Sequence, residues 1–387
     1  MLIRILILLI ALLIIPDVYI YAMYARKWKR SWWIRTLTFL PTILLLAYMM
    51  LVLSHDDMTL DNQVRVGQFM IVFLLVTVPR FLFTLFDCIG WMIRKGRRYT
   101  RIFAMTIAFF SAIILAYGYF IGRSRFVVHQ QTFWFENLPT AFDGYRIVQF
   151  SDLHLGTFYD GHQQDVTTLV NLINQQKGDA IVFTGDLVNY ESRESDGYKN
   201  VLRRLHAPDG VFSIMGNHDY SMYRPIEEAI RKADIAELQR REREDYGWTL
   251  LLNEHVVIRR NKDSIAVIGV ENDGRPPFPS LGDLPLATKG LSPSTFSILL
   301  SHDPTHWRRN VLPDTQIDLT LSGHTHAGQF KVFGWSPVSH VYDEWSGAYV
   351  DGKQILNVSD GVGQVMFPFR FGAWPEINVI TLKKKQK

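Results

Sequence analysis

The chain has 387 residues and a formal net charge of +4; 48% of its residues are hydrophobic and 20% are charged. This length allows one large catalytic domain and a further region. The positive charge lies in short clusters near apolar segments and at the C-terminus, with no basic stripe interleaved with aromatic residues, which excludes a nucleic-acid-binding surface. The single cysteine, Cys88, excludes an internal disulfide.

Four stretches in the first third of the chain are apolar over roughly the 20 residues that cross a bilayer. They cover residues 2–24, 36–54, 67–92 and 102–121. A cleavable signal peptide is disfavoured because no small-x-small cleavage site follows the first stretch and three more spans come after it. We therefore predict a transmembrane anchor of four helices over residues 1–121, in a multi-pass protein of the plasma (inner) membrane.

Loop charge predicts the orientation of these helices, because cytoplasmic loops carry an excess of Lys and Arg. The loops after the first and third spans are basic, whereas the loop after the second carries Asp56, Asp57 and Asp61 against a lone Arg65. The basic residues are Arg26, Lys27, Lys29, Arg30 and Arg35 in one loop and Arg94, Lys95, Arg97, Arg98 and Arg101 in the other. Everything after residue 121 is then predicted to face the exoplasm or periplasm.

Two ionisable residues stand within predicted spans, where an unpaired charge is costly. Asp17 in the first span and Arg80 in the third fall at a similar depth, and each follows a proline. We therefore predict an ion pair between them. The favoured interpretation is a structural lock between two helices; the alternative is a polar feature that guides a lipid headgroup or substrate.

From residue 144 onward, short apolar runs alternate with helical stretches, the pattern of a layered α/β domain. Strands are predicted at 145–150, 179–183, 210–214, 264–270, 295–300 and 318–321, and helices at 162–176, 195–205 and 225–244. Residues 122–143 are predicted to be a linker, and residues 144–387 to be the catalytic domain.

Polar side chains follow five of these strands at their C-terminal ends, where α/β domains place ligand and catalytic groups. They are Asp152, His154, Asp186, Asn217, His218, Asp219, His302, His324 and His326. Asp152 and His154 are two residues apart, so in an extended segment both would point the same way and could chelate one ion. His324 and His326 repeat this spacing. Imidazole with carboxylate suits Mn, Zn, Fe or Co.

The ordered motifs Asp-x-His, Gly-Asp, Gly-Asn-His-Asp, an isolated His and Gly-His-x-His resemble the calcineurin-like metallophosphoesterase superfamily, over about residues 145–382. With its membrane spans, the chain is similar to bacterial membrane-bound phosphodiesterases and to transmembrane proteins with a metallophosphoesterase domain. The resemblance implies an N-terminal four-helix transmembrane region followed by an α/β metallophosphoesterase domain, a β-sandwich flanked by helices with two metals at one edge.

The resemblance also implies a role for each motif residue. One divalent metal ion would be held by Asp152, His154, Asp186 and His326, and a second by Asp186, Asn217, His302 and His324. His218 would donate a proton to the leaving oxygen or stabilise charge in the transition state. Asp219 would orient the His218 ring. Two such ions supply hydroxide at neutral pH and neutralise phosphoryl charge.

The substrate is predicted less directly. Protein Ser/Thr phosphatases of the superfamily carry Gly-Asp-x-x-Asp-Arg-Gly and Gly-Asn-His-Glu, whereas this chain has Asn189 and Asp219 at the corresponding positions. A phosphoprotein is therefore disfavoured, and the anchor favours a phosphodiester or pyrophosphate that is lipid-linked. The expected partners are the lipid bilayer and this phosphate ester, with no nucleic acid and no obligate protein partner evident. The alternative function is a catalytically silent metal-binding scaffold or membrane sensor with this fold.

The remaining histidines fall outside the motifs and are predicted to be surface or packing residues. They are His55, His129, His162, His206, His255, His306 and His340. His162, Asn272 and Asp273 are weaker candidates for contact with substrate.

Overall fold

A computed structural model of the protein describes residues 2–27, 32–54, 59–92 and 96–386. Several residues that carry the orientation prediction lie outside the described residues, namely Lys29, Arg30, Asp56, Asp57, Arg94 and Lys95, as does His55. The chain forms two compact units. One contains Met1–Ile121 and Met366–Phe369, and the other contains Gly122–Val365 and Arg370–Lys387.

The first unit contains apolar helices at the four predicted places and a short helix, Trp32–Thr36, in the predicted loop after the first span. They are α1 (Leu2–Met23), α2 (Trp32–Thr36), α3 (Leu40–Leu53), α4 (Leu60–Met92) and α5 (Arg97–Phe120). Among the described residues, three segments are long and apolar enough to cross a membrane: Leu9–Lys27, Leu60–Met92 and Arg97–Ser124. The second predicted span contains α3, whose 14 residues rise about 21 Å, less than the roughly 30 Å of a hydrocarbon core.

The predicted ion pair between α1 and α4 is confirmed, because the Arg80 guanidinium contacts the Asp17 carboxylate. Arg80 also donates a hydrogen bond of 2.9 Å to the carbonyl of Thr38. Asp17 is fully buried. Arg80 of α4 therefore supplies the positive charge that neutralises the buried carboxylate of α1.

A second buried carboxylate in this unit, Asp87 of α4, was not anticipated from the sequence. Asp87 accepts hydrogen bonds from the Tyr19 hydroxyl at 2.8 Å and the Tyr24 hydroxyl at 2.5 Å. Its other oxygen lies 3.6 Å from Nε of Arg101 in α5. Three helices thus meet at one carboxylate.

The second unit contains two six-stranded sheets. The first has the order β1-β12-β2-β3-β4-β5 and the second β10-β11-β9-β8-β7-β6. The strands are β1 (Val127–Phe135), β2 (Arg146–Phe150), β3 (Ala180–Phe183), β4 (Val211–Ser213), β5 (Thr249–Leu250), β6 (Glu254–Arg260), β7 (Asp263–Gly269), β8 (Phe296–Leu300), β9 (Leu319–Ser322), β10 (Gly347–Asp351), β11 (Gln354–Val358) and β12 (Glu376–Lys384). The helices are α6 (Gln163–Gln175), α7 (Lys199–Leu202), α8 (Glu228–Arg240), α9 (Leu284–Ala287) and α10 (Leu312–Asp314).

The two sheets pack face to face, because alternate residues of each strand point into a shared core. Ile147 and Val182 of the first sheet lie in the same buried cluster as Ile298 and Leu319 of the second. The outer face of the first sheet is covered by α6 and its neighbours. This is the predicted β-sandwich flanked by helices. All six predicted strands are present, and their ends lie within a few residues of the predicted bounds.

Residues 122–143 differ from the predicted linker. β1 runs parallel to β12 along nine residues, from Val127 opposite Glu376 to Phe135 opposite Lys384. Leu138 is fully buried in the core that the two sheets share. This part of the chain belongs to the first sheet, and its partner strand lies 249 residues further along the chain, so no local signal predicted the pairing.

The helix predictions were less accurate at their ends. Within the predicted 195–205 segment only Lys199–Leu202 is α-helical, and Ser195 ends a 3-10 turn that begins at Ser192. The predicted 225–244 helix becomes α8, and a π-helical turn at Arg241–Tyr246 then carries the chain toward β5. Glu242, in this turn, is fully buried although it lies in a run of charged residues.

Candidate metal centre

The predicted site residues come together because the strands before them are parallel neighbours. β2, β3 and β4 pair in parallel within the first sheet, and β8 pairs in parallel with β9 within the second. Their carboxyl ends therefore meet at one edge of the sandwich. The residues placed there are Asp152, His154, Asp186, Asn217, His218, Asp219, His302, His324 and His326.

One half of the cluster is formed by residues after β2 and β9. Nε2 of His154 lies 3.0 Å from Nε2 of His326 and 3.6 Å from Oδ2 of Asp186. Nε2 of His326 lies 3.3 Å from Oδ1 of Asp152. The donor atoms of Asp152, His154 and His326 are all within 4.8 Å of one another, close enough to share a metal ion.

The other half is formed by residues after β4, β8 and β9. Nε2 of His302 lies 3.1 Å from Oδ2 of Asp186 and 3.2 Å from Oδ1 of Asn217. Nδ1 of His324 lies 2.7 Å from the same Asn217 oxygen. Asp186, His302 and His324 form a further group with metal-ligand spacing. Asp186 therefore belongs to both halves.

Five of these residues adopt left-handed backbone conformations, with φ between 46° and 75°: Asp152, His154, Asp186, His324 and His326. The expectation that Asp152 and His154 lie in an extended segment is therefore wrong. Tight turns, not strand alternation, bring them together. Left-handed residues other than glycine cost roughly 1–2 kcal/mol each, and such strain is concentrated at functional sites.

Two glycines make room for the carboxylates. A Cβ atom on Gly323 would lie 2.3 Å from Oδ2 of Asp152, and one on Gly216 would lie 2.2 Å from Oδ1 of Asp186. Both distances are far below van der Waals contact. Glycine at these positions lets the backbone approach the acidic side chains closely.

Burial and neighbouring charges together set the charge state of the cluster. Burial would lower the pKa of His302, but the Asp186 carboxylate beside the ring raises it to about 10. Burial lowers the pKa of His154 to about 3 and that of His324 to about 4, so both of these rings are neutral near pH 7, the form that binds metal. Burial also raises the pKa of Asp152 to about 7. It would raise the pKa of Asp186 too, but the His302 ring beside it holds that pKa well below its usual value.

His218 lies beside the cluster, half-buried. Its backbone N–H donates a 2.8 Å hydrogen bond to Oδ1 of Asp186, and its Nδ1 lies 2.7 Å from the carbonyl oxygen of Asn189. This carbonyl fixes the ring, because it can only accept the Nδ1–H proton. The ring stands 4.5 Å from the ring of Tyr223.

The prediction that Asp219 orients the His218 ring is wrong. Both Asp219 oxygens accept hydrogen bonds of 2.8–3.2 Å from backbone N–H groups, those of Asp186, Leu187, Val188 and Gly216. Asp219 therefore holds together the loop after β3 and the turn after β4. It positions Asp186, whereas the Asn189 carbonyl positions His218.

Several polar contacts of the predicted ligands were missed from the sequence. The Tyr342 hydroxyl lies 2.8 Å from Nε2 of His324, and Nδ2 of Asn217 donates a 2.7 Å hydrogen bond to the Tyr223 hydroxyl. The Asp303 carboxylate lies 3.7 Å from the same His324 nitrogen. Asp303 directly follows His302 and could have been proposed from that position, but both tyrosines come from loops without a motif.

A buried arginine also contacts the cluster. Nη2 of Arg370 lies 3.0 Å from Nδ1 of His326, while its Nε and Nη1 donate to the carbonyls of Gly363 and Ala373 at 2.8 and 3.0 Å. Burial lowers the pKa of Arg370 to about 10. The guanidinium thereby ties the segment before β12 to the ring of His326.

The three weaker candidates make structural contacts. His162 lies 2.9 Å from Asp165, and Asp273 accepts a 2.7 Å hydrogen bond from Arg309. Nδ2 of Asn272 donates to a nearby backbone carbonyl at 2.7 Å. None of the three lines the cavity over the cluster described next.

A cavity of about 180 Å³ opens over the cluster, roughly the volume of six water molecules. Its polar side consists of Asp186, Asn217, His218, His324 and His326, and its less polar side of Phe278, Thr325, Val338, Tyr342 and Val365. A phosphoryl group fits a cavity of this size. The apolar side chains would then contact the group that is esterified to it.

Comparison with known proteins gives a family for both units. Residues 145–328 match the Calcineurin-like phosphoesterase family. Residues 3–124 match a family described as "Probable Calcineurin-like phosphoesterase, transmembrane domain". The first match begins at β2 and includes every predicted site residue, and the second covers the apolar helices.

Similar proteins occur in bacteria and in animals. An uncharacterised metallophosphoesterase of Bacillus subtilis, YkuE, is 33% identical over 261 residues, which cover 64% of this chain and 82% of that protein. One of Aquifex aeolicus is 28% identical over 72% of this chain and 99% of its own. A Bos taurus "Transmembrane protein with metallophosphoesterase domain" is 28% identical over 64% of this chain and 54% of its own.

These matches agree with the apolar helices, the sandwich and the candidate metal-binding clusters. The chain is a membrane protein that belongs to the calcineurin-like metallophosphoesterase family, whose transmembrane domain forms its N-terminal region.

Proposed function

We propose that this protein is a membrane-anchored, dinuclear-metal phosphoesterase that hydrolyses a phosphodiester or a pyrophosphate. The observation that carries the proposal is the position of Asp186. Its Oδ2 atom lies 3.1 Å from Nε2 of His302 in one half of the cluster and 3.6 Å from Nε2 of His154 in the other. One carboxylate is thereby available to both halves, as a bridging ligand must be.

The donor set fits two divalent ions. One would be held by Asp152, His154, Asp186 and His326, and the other by Asp186, Asn217, His302 and His324. Imidazole nitrogens with carboxylate and amide oxygens are borderline ligands that suit Mn, Zn, Fe or Co. Two structural features support this assignment. Gly216 and Gly323 let the backbone pass close to the Asp186 and Asp152 carboxylates, and the left-handed turns bring several ligand atoms close together.

When bound, two such ions lower the pKa of a water molecule and neutralise charge on the phosphoryl oxygens. The protein's own groups place the substrate around them. His218 lines the cavity with its Nδ1–H held by Asn189, so its Nε2 is the free nitrogen that can exchange a proton with the leaving oxygen. Tyr223 packs on the ring and limits its movement.

Ligand orientation is the second task of the surrounding residues. Tyr342 and Asp303 face Nε2 of His324, and Tyr223 faces the amide of Asn217. Partners of this kind fix the ring orientation and the tautomer of a metal-binding histidine. Phe278, Val338 and Val365 keep one wall of the cavity apolar.

The membrane region supports a lipid-linked substrate. The chain enters β1 at Val127, seven residues after the end of α5 at Phe120. Loop charge supports a phosphoesterase domain on the exoplasmic or periplasmic side. A phosphodiester or pyrophosphate carried by a lipid is therefore the substrate class that we propose.

The proposed activity is tested by hydrolysis of an aryl phosphodiester with Mn²⁺ by the full-length protein. Asp186→Asn and His324→Ala should each lower kcat/KM by more than about 100-fold, because loss of a direct ligand exceeds the 10–100-fold cost of losing a ligand's hydrogen-bond partner. Asp314→Asn and His206→Ala serve as matched controls, since both residues are exposed. Equal activity in all five proteins would contradict the proposal and favour a metal-binding scaffold or sensor.

A further inference from the structure

A tight hairpin next to the cavity presents apolar side chains to solvent. The backbone groups of Val332 and Trp335 exchange two hydrogen bonds, of 2.9 and 3.0 Å, around the two-residue turn Phe333-Gly334. We refer to residues 332–335 as the apolar hairpin. Phe333 at its tip is fully exposed, with 105% relative accessibility, and Trp335 is about half exposed at 48%.

The conformation of the turn does not explain why an exposed phenylalanine stands at its tip. Phe333 and Gly334 have φ of 50° and 77°, so both are left-handed, as in a type I′ turn. Asn-Gly and Asp-Gly are the pairs that favour this turn. A phenylalanine there is conformationally unfavourable and buries nothing within the domain, so neither local folding nor the core explains it.

The exposed apolar surface continues beyond the hairpin. The Trp335 ring lies 6.0 Å from the ring of His340, and the next residue, Val341, is 67% exposed. The same loop supplies Val338 and Tyr342 to the cavity over the metal cluster. The apolar surface and the rim of the cavity are therefore parts of one loop.

The hairpin is linked by contacts to the segment through which the chain enters the domain. The backbones of Lys331 and Gln329 pair with Phe371. Phe371 packs against Trp374, with ring centroids 5.8 Å apart, and Arg125 lies over the Trp374 ring at 4.8 Å. Arg125 is five residues after the last residue of α5, and five residues of chain span at most about 18 Å.

We propose that the apolar hairpin inserts into the lipid bilayer beside the catalytic cavity. A bilayer is the occupant that these observations favour, since the short connection to a membrane helix keeps this edge of the domain near lipid. Phe and Trp are also residues that bind the interface between headgroups and acyl chains. Insertion would bring the cavity rim to the lipid surface; that consequence for the substrate rests on the proposed function.

The insertion is tested with full-length protein in nanodiscs of phosphatidylethanolamine and phosphatidylglycerol. Cys88 is the only cysteine, so Cys88→Ser gives a background in which Phe333→Cys, or Ile230→Cys on α8 as a matched exposed control, is labelled with an environment-sensitive NBD group. Lipids carrying a doxyl quencher report contact with the bilayer.

We expect a blue-shifted emission at position 333 and quenching at least roughly twofold stronger than at position 230, because interfacial residues lie about 5–10 Å into the boundary layer. Equal, water-like emission at both positions would overturn the proposal. A blue shift without quenching by doxyl lipid would also overturn it, and would assign the surface to a protein partner or a second copy of the chain.

A second variant separates insertion from catalysis. Phe333→Glu with Trp335→Glu should leave hydrolysis of a soluble aryl phosphodiester unchanged and lower hydrolysis of a lipid phosphodiester in vesicles by about tenfold, a loss of about 1.4 kcal/mol. An equal loss on both substrates would contradict a role in reaching lipid. If the wild type hydrolyses neither, the proposed function fails while the labelling experiment still decides the insertion.

Discussion

The membrane helices and the phosphoesterase domain both bury charged side chains, but they neutralise them differently. In the helices, Asp17 contacts Arg80, and Asp87 is surrounded by Arg101 and two tyrosine hydroxyls. In the domain, buried carboxylates and imidazoles converge on one another at the strand ends. Pairing within the protein serves structure, whereas converging donors are suited to an external cation.

A third arrangement occurs at Glu242, which is fully buried in the domain and for which the charge of Arg243 only partly offsets burial. Burial first, and then repulsion from Asp219, raises its pKa to about 8. Near pH 7 this side chain is therefore protonated and neutral. The molecule thus tolerates buried carboxyl groups by ion pairing, by protonation and, as we propose, by metal binding.

Adding Mn²⁺ should give the largest effect, because it should stabilise the phosphoesterase domain and leave the membrane helices unchanged. Mn²⁺ at about 1,000 times its Kd should stabilise the phosphoesterase domain by about 4 kcal/mol, because an ion that binds only the folded state stabilises it. Hydrogen–deuterium exchange should slow in peptides that contain Asp186 or His324 and stay unchanged in α3 and α4.

Asp186→Asn is the control for this comparison, since it should abolish most of the slowing. Equal protection in the membrane helices and the domain would mean that Mn²⁺ acts nonspecifically. No protection in either would contradict the metal centre.

Counted per pH unit, the next largest effect is expected from pH, through Glu242. Its folded pKa is raised to about 8, so the folded state keeps a proton that the unfolded state releases above pH 4.5. Stability should therefore fall as pH rises from 4.5 to 8, by up to about 1.4 kcal/mol per pH unit. Glu242→Gln, which stays neutral, should flatten the dependence of Tm on pH across this window. Equal slopes in both proteins would show that Glu242 is ionised when folded.

The smallest effect is expected for the ion pair of the membrane helices. A double-mutant cycle of Asp17→Asn and Arg80→Gln should give a coupling of about 1–2 kcal/mol, the upper range for polar pairs between membrane helices. Unfolding in mixed micelles measures this coupling. Strictly additive effects of the two substitutions would mean that the contact contributes no stability. Activity toward a soluble aryl phosphodiester should be unchanged in both single variants.

The sequence predicted well wherever a local pattern carried the information. Short apolar runs identified β2, β3, β4, β7, β8 and β9, and the polar residues that follow five of them identified the cluster. The pairing of Asp17 with Arg80 followed from depth in the membrane. These features depend on residue type and spacing along the chain.

The features that were missed depend on distant partners. β1 is held by β12, whose register cannot be read from residues 127–135. The role of Asp219 was misassigned, and that of Asn189 was not anticipated, because hydrogen bonds to backbone amides and carbonyls depend on the turn geometry. Tyr342 and Tyr223 reach their partners from loops without a motif. The left-handed turns at the ligands likewise have no local pattern other than the neighbouring glycines.

The central claim is that two metal ions bind on either side of Asp186. The most direct measurement is anomalous diffraction from crystals of the full-length protein grown with Mn²⁺, recorded at a wavelength near the manganese absorption edge. We expect two anomalous peaks, one contacting Asp152, His154 and His326 and the other contacting Asn217, His302 and His324, with Asp186 between them. A single peak, or none at these residues, would contradict the dinuclear centre.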